Sequence, residues 1–436
     1  MLPARLRNNF RLRRIFLTFL SLLGSKGISI VVGFISLPLT LNYLGEERYG
    51  MMATIVSFLV LMNFADFGLG YGLQNRIPEF EKDEEKIRAA VSSTFYFLVG
   101  SAALLAVVFF VVHPFVPWHR LFNVQSELAQ QEAGTSITVL FLCLIVNLPI
   151  SIVQKVQGGF QEGYFNNLWA TGANVLGLAL IFLAIHWQLG VPGIILAIYG
   201  ANTLGLLLNF LNQFLRIRGY LLPRVSLVDP ALLRIIVRDG LSFMFVQVSF
   251  ALFTASDNVI VSQILGAERV AILAIGMRLV GLLVMPMNAV MGPSLPAIND
   301  ALEKNDKPWV RRLFSKGLML SLLTTVGICL GFYFCANFVI RYWLGSEYEM
   351  PPELVLAFSV FLVFANLNPF FSFFMMATPF ISKLTWIYPL AMVSSIVGKA
   401  LACYYYGIPG LLVVTTLGML TTFFLPSYVL VKKYIA

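Results

Sequence analysis

Five ionisable residues stand inside long uncharged runs of this chain: Lys26, Asp66, Asp257, Arg278 and Lys399. An ammonium group binds phosphate by charge, and a guanidinium adds a planar two-pronged fork. A carboxylate in the same setting holds a cation or exchanges a proton. At the centre of a helix crossing hydrocarbon, such a group costs about 2.5–3.5 kcal/mol on insertion scales. It therefore faces a protein interior or a water-filled cavity, and it marks a pathway. Three cations against two acids make that cavity net positive, which favours an anionic guest. Asp66, within FADFGLGYG, and Asp257 are candidates for proton coupling, and Asp257 has a second reading as the neutralising partner of a nearby cation.

Polar residues at helical spacing accompany the charges. Lys26, Ser29, Gly33, Ser36 and Thr40 recur on one helix face. A shift of 221 residues places Gln247 where Lys26 stands and Asp257 where Ser36 stands, with Thr254 on the same face and Asn258 beside it. Arg278, Gly281, Met285 and Asn288 form another face, and Ser395 precedes Lys399 by one turn. The expected lumen thus has Lys26, Arg278 and Lys399 as its anion-binding cations and Asp66 and Asp257 as its acids. Ser29, Ser36, Gln247 and Asn258 complete its polar lining. Asn167, Thr171 and Asn174, like Asn202, Asn209 and Asn212, are read instead as groups that hydrogen-bond helices together.

Membrane-spanning helices must carry these residues. The chain is 58% hydrophobic and 12% charged, whereas soluble domains carry about 25% charged residues. Runs long enough for a helix to cross hydrocarbon recur throughout, and twelve spans are expected. They fall at 15–43, 50–75, 90–112, 133–154, 165–187, 193–215, 239–264, 270–295, 314–337, 353–376, 384–405 and 408–431. No alternating strand pattern supports a membrane barrel. The basic, apolar start lacks a small-residue cleavage site and is read as an uncleaved first helix. Cys143, Cys329, Cys335 and Cys403 fall within or beside spans and serve packing, so neither disulfide nor metal site is expected. Neither a phosphate-cradling glycine loop nor a paired acidic metal motif is present, which points to a non-enzyme without cofactor.

The formal net charge of +9 is distributed by side of the membrane. Of 30 Lys and Arg, three lie within spans, and Arg48, Arg120, Arg269 and Arg341 fall on one side. All others share the side of the two termini. That asymmetry orients a membrane protein with both termini cytoplasmic. It favours contact with membrane lipids and is no nucleic-acid footprint.

The loop at 216–238 divides the chain into lobes at 1–215 and 239–436. Within it, Asp229 and Pro230 read as the cap and first turn of an in-plane helix linking the lobes. Leu44-Gly45-Glu46-Glu47-Arg48 is echoed by Leu265-Gly266-Ala267-Glu268-Arg269, each copy in the first hairpin of its lobe. A parallel repeat of six helices explains the echo.

The stretches LPLTLNYLGEERYGMMATIVSFLVLMNFADFGLGYGLQNRI and SDNVIVSQILGAERVAILAIGMRLVGLLVMPMNAVMGPSLPAI resemble the opening hairpins of the two halves of Wzx-type polysaccharide flippases. With the twelve-span plan, the resemblance covers essentially the whole chain. It implies the multidrug/oligosaccharidyl-lipid/polysaccharide exporter superfamily: an all-α membrane protein with two six-helix lobes in a V around a central lumen. It also implies export of undecaprenyl-diphosphate-linked oligosaccharide across the bacterial cytoplasmic membrane, with the polysaccharide polymerase machinery as a partner. Lys26, Arg278 and Lys399 then carry the cationic lumen. The alternatives are a drug or cation antiporter of the same fold, and a membrane-embedded polysaccharide polymerase or ligase.

Overall fold

A computed structural model describes residues 10–62, 69–80, 83–303, 306–345, 348–376 and 381–435. They form helices and connecting turns, with no strand among the described residues. The helices are α1 (Phe10–Met62), α2 (Leu69–Arg76), α3 (Glu84–Val112), α4 (Glu127–Ile150), α5 (Ile152–Gly159), α6 (Gly163–His186) and α7 (Gly190–Ile217). They continue with α8 (Pro230–Leu265), α9 (Ala267–Glu303), α10 (Lys307–Leu344), α11 (Pro352–Met376), α12 (Ile381–Met419) and α13 (Leu425–Ile435). Among the described residues, nine helical stretches are long and apolar enough to cross a membrane. The expected spans at 50–75 and 239–264 include residues or side chains outside the described set.

The chain divides into two compact units, Met1–Val248 and Ser249–Ala436. Both units break their helices in the same way. α1 turns at Gly45 (φ 75°), and α8 passes to α9 at Gly266 (φ 96°), 221 residues later. A second pair was not anticipated. Gly190-Val191-Pro192-Gly193 opens α7 in the first unit, and Gly407-Ile408-Pro409-Gly410 stands at a break inside α12 in the second, where the chain turns and resumes as helix. Gly190 (φ 65°) and Gly407 (φ 64°) both take the left-handed conformation, where a β-carbon would be strained. The proline two residues on then sits in the first helical turn, where its missing N–H removes no bond.

Ionic ties hold one end of the first unit. Arg48 donates to both oxygens of Glu132, at 2.9 and 2.6 Å, and Tyr43 Oη accepts the Gly190 N–H at 3.0 Å. Glu47 accepts the backbone N–H groups of Gln125 and Ser126 at the start of α4. The LGEER string therefore ties the first hairpin to α4 and the segment before it, and Tyr43, just ahead of the string, ties it to α7.

At the other end of this unit, Leu69, Leu73, Ile87, Val91, Val153, Val156 and Phe214 make a core that also takes in Leu221 and Ile236 from the 216–238 segment. Asp229 caps α8 by accepting from Ala231 N at 2.8 Å and Leu232 N at 3.2 Å, and Ser93 Oγ accepts the Asp229 N–H at 2.8 Å. The helix expected to lie in plane does not end at Arg238. It runs unbroken to Leu265, so that its backbone groups continue the helical ladder without a second pair of caps. The segment packs within the first unit, and the division between units falls inside α8.

Candidate functional site

Lys26 lies on the exposed side of α1, inside the candidate span Leu20–Ser57. The stripe it heads does not all face one way. Ser29 Oγ accepts from Asn174 Nδ2 at 2.8 Å and donates to Ser25 O at 2.8 Å. Two turns earlier, Asn167 Nδ2 donates to Ser21 Oγ at 2.9 Å, so these contacts join α1 to α6. Ser36 Oγ donates weakly to Gly33 O at 3.4 Å, and the buried Thr40 donates to Ser36 O at 2.8 Å. The hydroxyls are engaged with backbone or neighbouring helix. Lys26 has no ionic or hydrogen-bonding partner among the described residues.

Arg278 occupies a comparable place in the second unit. It sits within Ala267–Asn288, exposed on α9 together with Gly281 and Asn288. Among the described residues it too has no partner. Gly281 has nothing within 4 Å of where a β-carbon would stand, so the surface beside the guanidinium is open. A mid-span guanidinium without a counter-ion must meet water or an anion.

Lys399 is placed quite differently. It is fully buried, and its three ammonium protons have three receivers on one turn of α8. Nζ donates to Asp257 Oδ1 at 2.8 Å and to Phe253 O at 2.7 Å, and it lies 3.4 Å from the centroid of the Phe253 ring. Asp257 is itself buried. The pair joins α12 to α8 within the second unit and adds no net charge to any surface. Asn258, next along α8, is half-buried. Asp66 and the side chain of Gln247 lie outside the described residues.

Of the polar residues read as interhelical glue, Asn167, Asn174 and Asn209 bond a neighbouring helix, whereas Asn202 and Thr171 donate to carbonyls of their own helix, Ile198 O at 3.0 Å and Asn167 O at 2.7 Å. Asn209 Nδ2 donates to Gln157 Oε1 at 3.1 Å and to Asn166 Oδ1 at 3.2 Å, while Gln157 Nε2 donates to Asn209 Oδ1 at 2.8 Å and Gln213 Oε1 at 3.2 Å. Below this amide cluster Arg218 forks onto Glu162, at 2.7 and 2.9 Å, with its guanidinium carbon 4.1 Å from the Phe160 ring centroid. Burial opposes the charge on Arg218, but the bonds to Glu162 outweigh it and raise the guanidinium pKa above its ordinary value.

Residues 18–302 match the model of a family described as polysaccharide biosynthesis protein. The chain belongs to that family. This family member is similar to a Yersinia pseudotuberculosis protein provisionally named for O-antigen export, with 20% identity over 89% of each chain. It is also similar to a Salmonella typhi protein provisionally named an O-antigen transporter, with 22% identity over 94% of each. Its fold is similar to that of a multidrug resistance MATE family transporter of the MOP superfamily solved in an inward-facing conformation. That match has a TM-score of 0.76 and 14% identity, covering 93% of this chain and 95% of the other. The family member is thus a multi-pass helical membrane protein with the MATE fold.

Sequence reasoning missed two features of this family member. The paired GVPG and GIPG strings carried a signal, because the same four-residue pattern recurs at a helix start in the first unit and at the break inside α12 in the second. The Phe253 carbonyl and ring carried none, since a backbone acceptor for Lys399 has no sequence signature.

Proposed function

We propose that the protein is a flippase that moves undecaprenyl-diphosphate-linked oligosaccharide units across the cytoplasmic membrane by alternating access. The units are of the O-antigen, capsule or exopolysaccharide type. One observation carries this reading: among the described residues Lys26 and Arg278 are mid-span cations without a partner, while Asp257 is already neutralised by Lys399. That pairing removes one charge of each sign and leaves Lys26 and Arg278 as the unengaged mid-span charges among the described residues. A diphosphate is the anionic group such cations suit, with Lys26 acting as a point charge and Arg278 as a fork. The relatives provisionally named for O-antigen export and transport support the same cargo class. Moving two uncompensated negative charges outward, down the gradient of an inside-negative membrane, gains about 4–5 kcal/mol per 100 mV, so the field itself favours export.

The test is made in cells lacking the protein. One lipid-linked glycan should accumulate on the cytoplasmic leaflet. The intact chain should clear it, and Lys26→Ala combined with Arg278→Ala should not, at equal amounts in the membrane. Clearance by the double variant would overturn the reading. Sensitivity to organic cations without glycan accumulation would move the assignment to an antiporter.

A further inference from the structure

One end of the second unit gathers six exposed cations: Lys307, Arg311, Arg312 and Lys316 on α10, and Lys432 and Lys433 on α13. None is paired with a carboxylate among the described residues. Asp306, the acid beside them, caps α10 by accepting from Trp309 N at 3.1 Å. The two helices meet here through aromatic floor residues. Lys307 Nζ lies 5.7 Å from the Tyr434 ring centroid, Lys432 Nζ lies 5.5 Å from that of Tyr428, and the Phe314 and Tyr428 rings are 6.2 Å apart.

Helical geometry shows which way the cluster faces. At 100° per residue, Arg312 and Lys316 share a stripe with Met319, Leu320, Leu323 and Val326, all of them exposed and apolar. Val310 and Phe314, on the other side of α10, are buried in the unit. α13 shows the same change in the opposite chain direction, from exposed Leu425 and Val429 to Lys432 and Lys433. Two neighbouring helices therefore pass from bare apolar surface to bare cationic surface at one level. A bare apolar helix face suits acyl chains, and the cationic band at its edge suits headgroup phosphates. The cations on α10 spread over about half of its circumference, which fits several headgroups better than one diphosphate.

We propose that this band is a binding surface for anionic phospholipid, holding headgroup phosphates between α10 and α13 while the acyl chains lie along the Met319–Val326 stripe. The positive end of α10 adds to the attraction. Lys432 and Lys433 offset the negative end of α13. The proposal does not depend on the transported cargo.

The experiment uses the purified full chain in nanodiscs containing equal phosphatidylglycerol and phosphatidylcholine, then measures lipid retained through detergent exchange. The intact protein should retain phosphatidylglycerol at least tenfold over phosphatidylcholine. The preference should disappear in the Arg311→Gln, Arg312→Gln, Lys432→Gln, Lys433→Gln variant. It should also disappear for the intact chain in 1 M salt, where the screening length is about 3 Å, so the test does not depend on the variant folding. Equal retention of both lipids by the intact protein would overturn the proposal, as would a preference that survives both variant and salt. Displacement of phosphatidylglycerol by equimolar polyprenyl diphosphate would reassign the band to the carrier lipid.

Discussion

Lys399→Met isolates the buried pair in the second unit. Nζ stands 2.8 Å from Asp257 Oδ1. At that separation, attraction between unit charges is about 6 kcal/mol at an effective dielectric of 20, before the cost of removing both from water. Removing either partner leaves the other buried without its counter-charge, at a cost of about 3–5 kcal/mol. Lys399→Met strands the Asp257 carboxylate. Asp257→Asn leaves the ammonium with neutral acceptors alone, the Phe253 carbonyl and ring and the new amide oxygen, and with no counter-charge. The double variant strands no charge and should be more stable than the sum of the single losses predicts, with a coupling of several kcal/mol. The assay is thermal unfolding of the purified chain in one fixed detergent. At about 2–4 °C per kcal/mol for a unit of this size, each single variant should melt about 6–20 °C lower, and the double variant should recover most of the loss. Melting of Lys399→Met within 2 °C of the parent would refute the structural role, and losses that simply add would refute the pairing. A variant that melts normally yet exports no glycan would return Lys399 to the lumen.

Three further substitutions test the frame. Gly190→Ala should lower the melting temperature: the left-handed backbone alone costs about 1–2 kcal/mol, and the new β-carbon would collide with Glu132 Oε1 of the Arg48 pair. Gly276→Ala places a β-carbon against the ring of the fully buried Phe358; unfolding measurements should show a loss of about 1–3 kcal/mol from overpacking, relieved by Phe358→Leu. Asn174→Ala removes one bond between α1 and α6 and should cost only about 0.6 kcal/mol, the usual worth of such a bond in a membrane protein, with export by the intact cell population unchanged.

Helix and membrane were legible because they rest on run length and charge scarcity, which are one-dimensional properties. The LGEER and LGAER echo was legible for the same reason, and its glycines take the matching backbone conformation in both units. The ionisable residues were found by type, but their roles were not. Lys26 and Lys399 both appear as a lone lysine in an apolar run, yet one is exposed and the other fully buried. The difference lies in what the neighbouring helix brings: for Lys399, a carboxylate 142 positions away and a carbonyl 146 away. Hydrophobic periodicity cannot report that, because a buried pair and a lumen cation interrupt an apolar helix identically. The 216–238 segment misled for a related reason: its cap was read correctly, but nothing local marks whether a capped helix stops after two turns or continues.

Pairing, not charge count, is what separates the two transport readings of this fold. An exporter of organic cations needs carboxylates with room for a guest, and Asp257 has its oxygen on Lys399. Lys26 and Arg278 are the mid-span charges that remain unengaged among the described residues. If they receive a diphosphate, charge is required at both positions but geometry matters more at the second. Lys26→Arg keeps a positive charge and should sustain export. Arg278→Lys keeps the charge but loses the two-pronged fork, so it should raise the substrate concentration needed for half-maximal export by about tenfold or less. Both alanine variants should be inactive. Equal tolerance of alanine at the two positions would mean that neither meets an anion, and the unpaired cations would need another explanation.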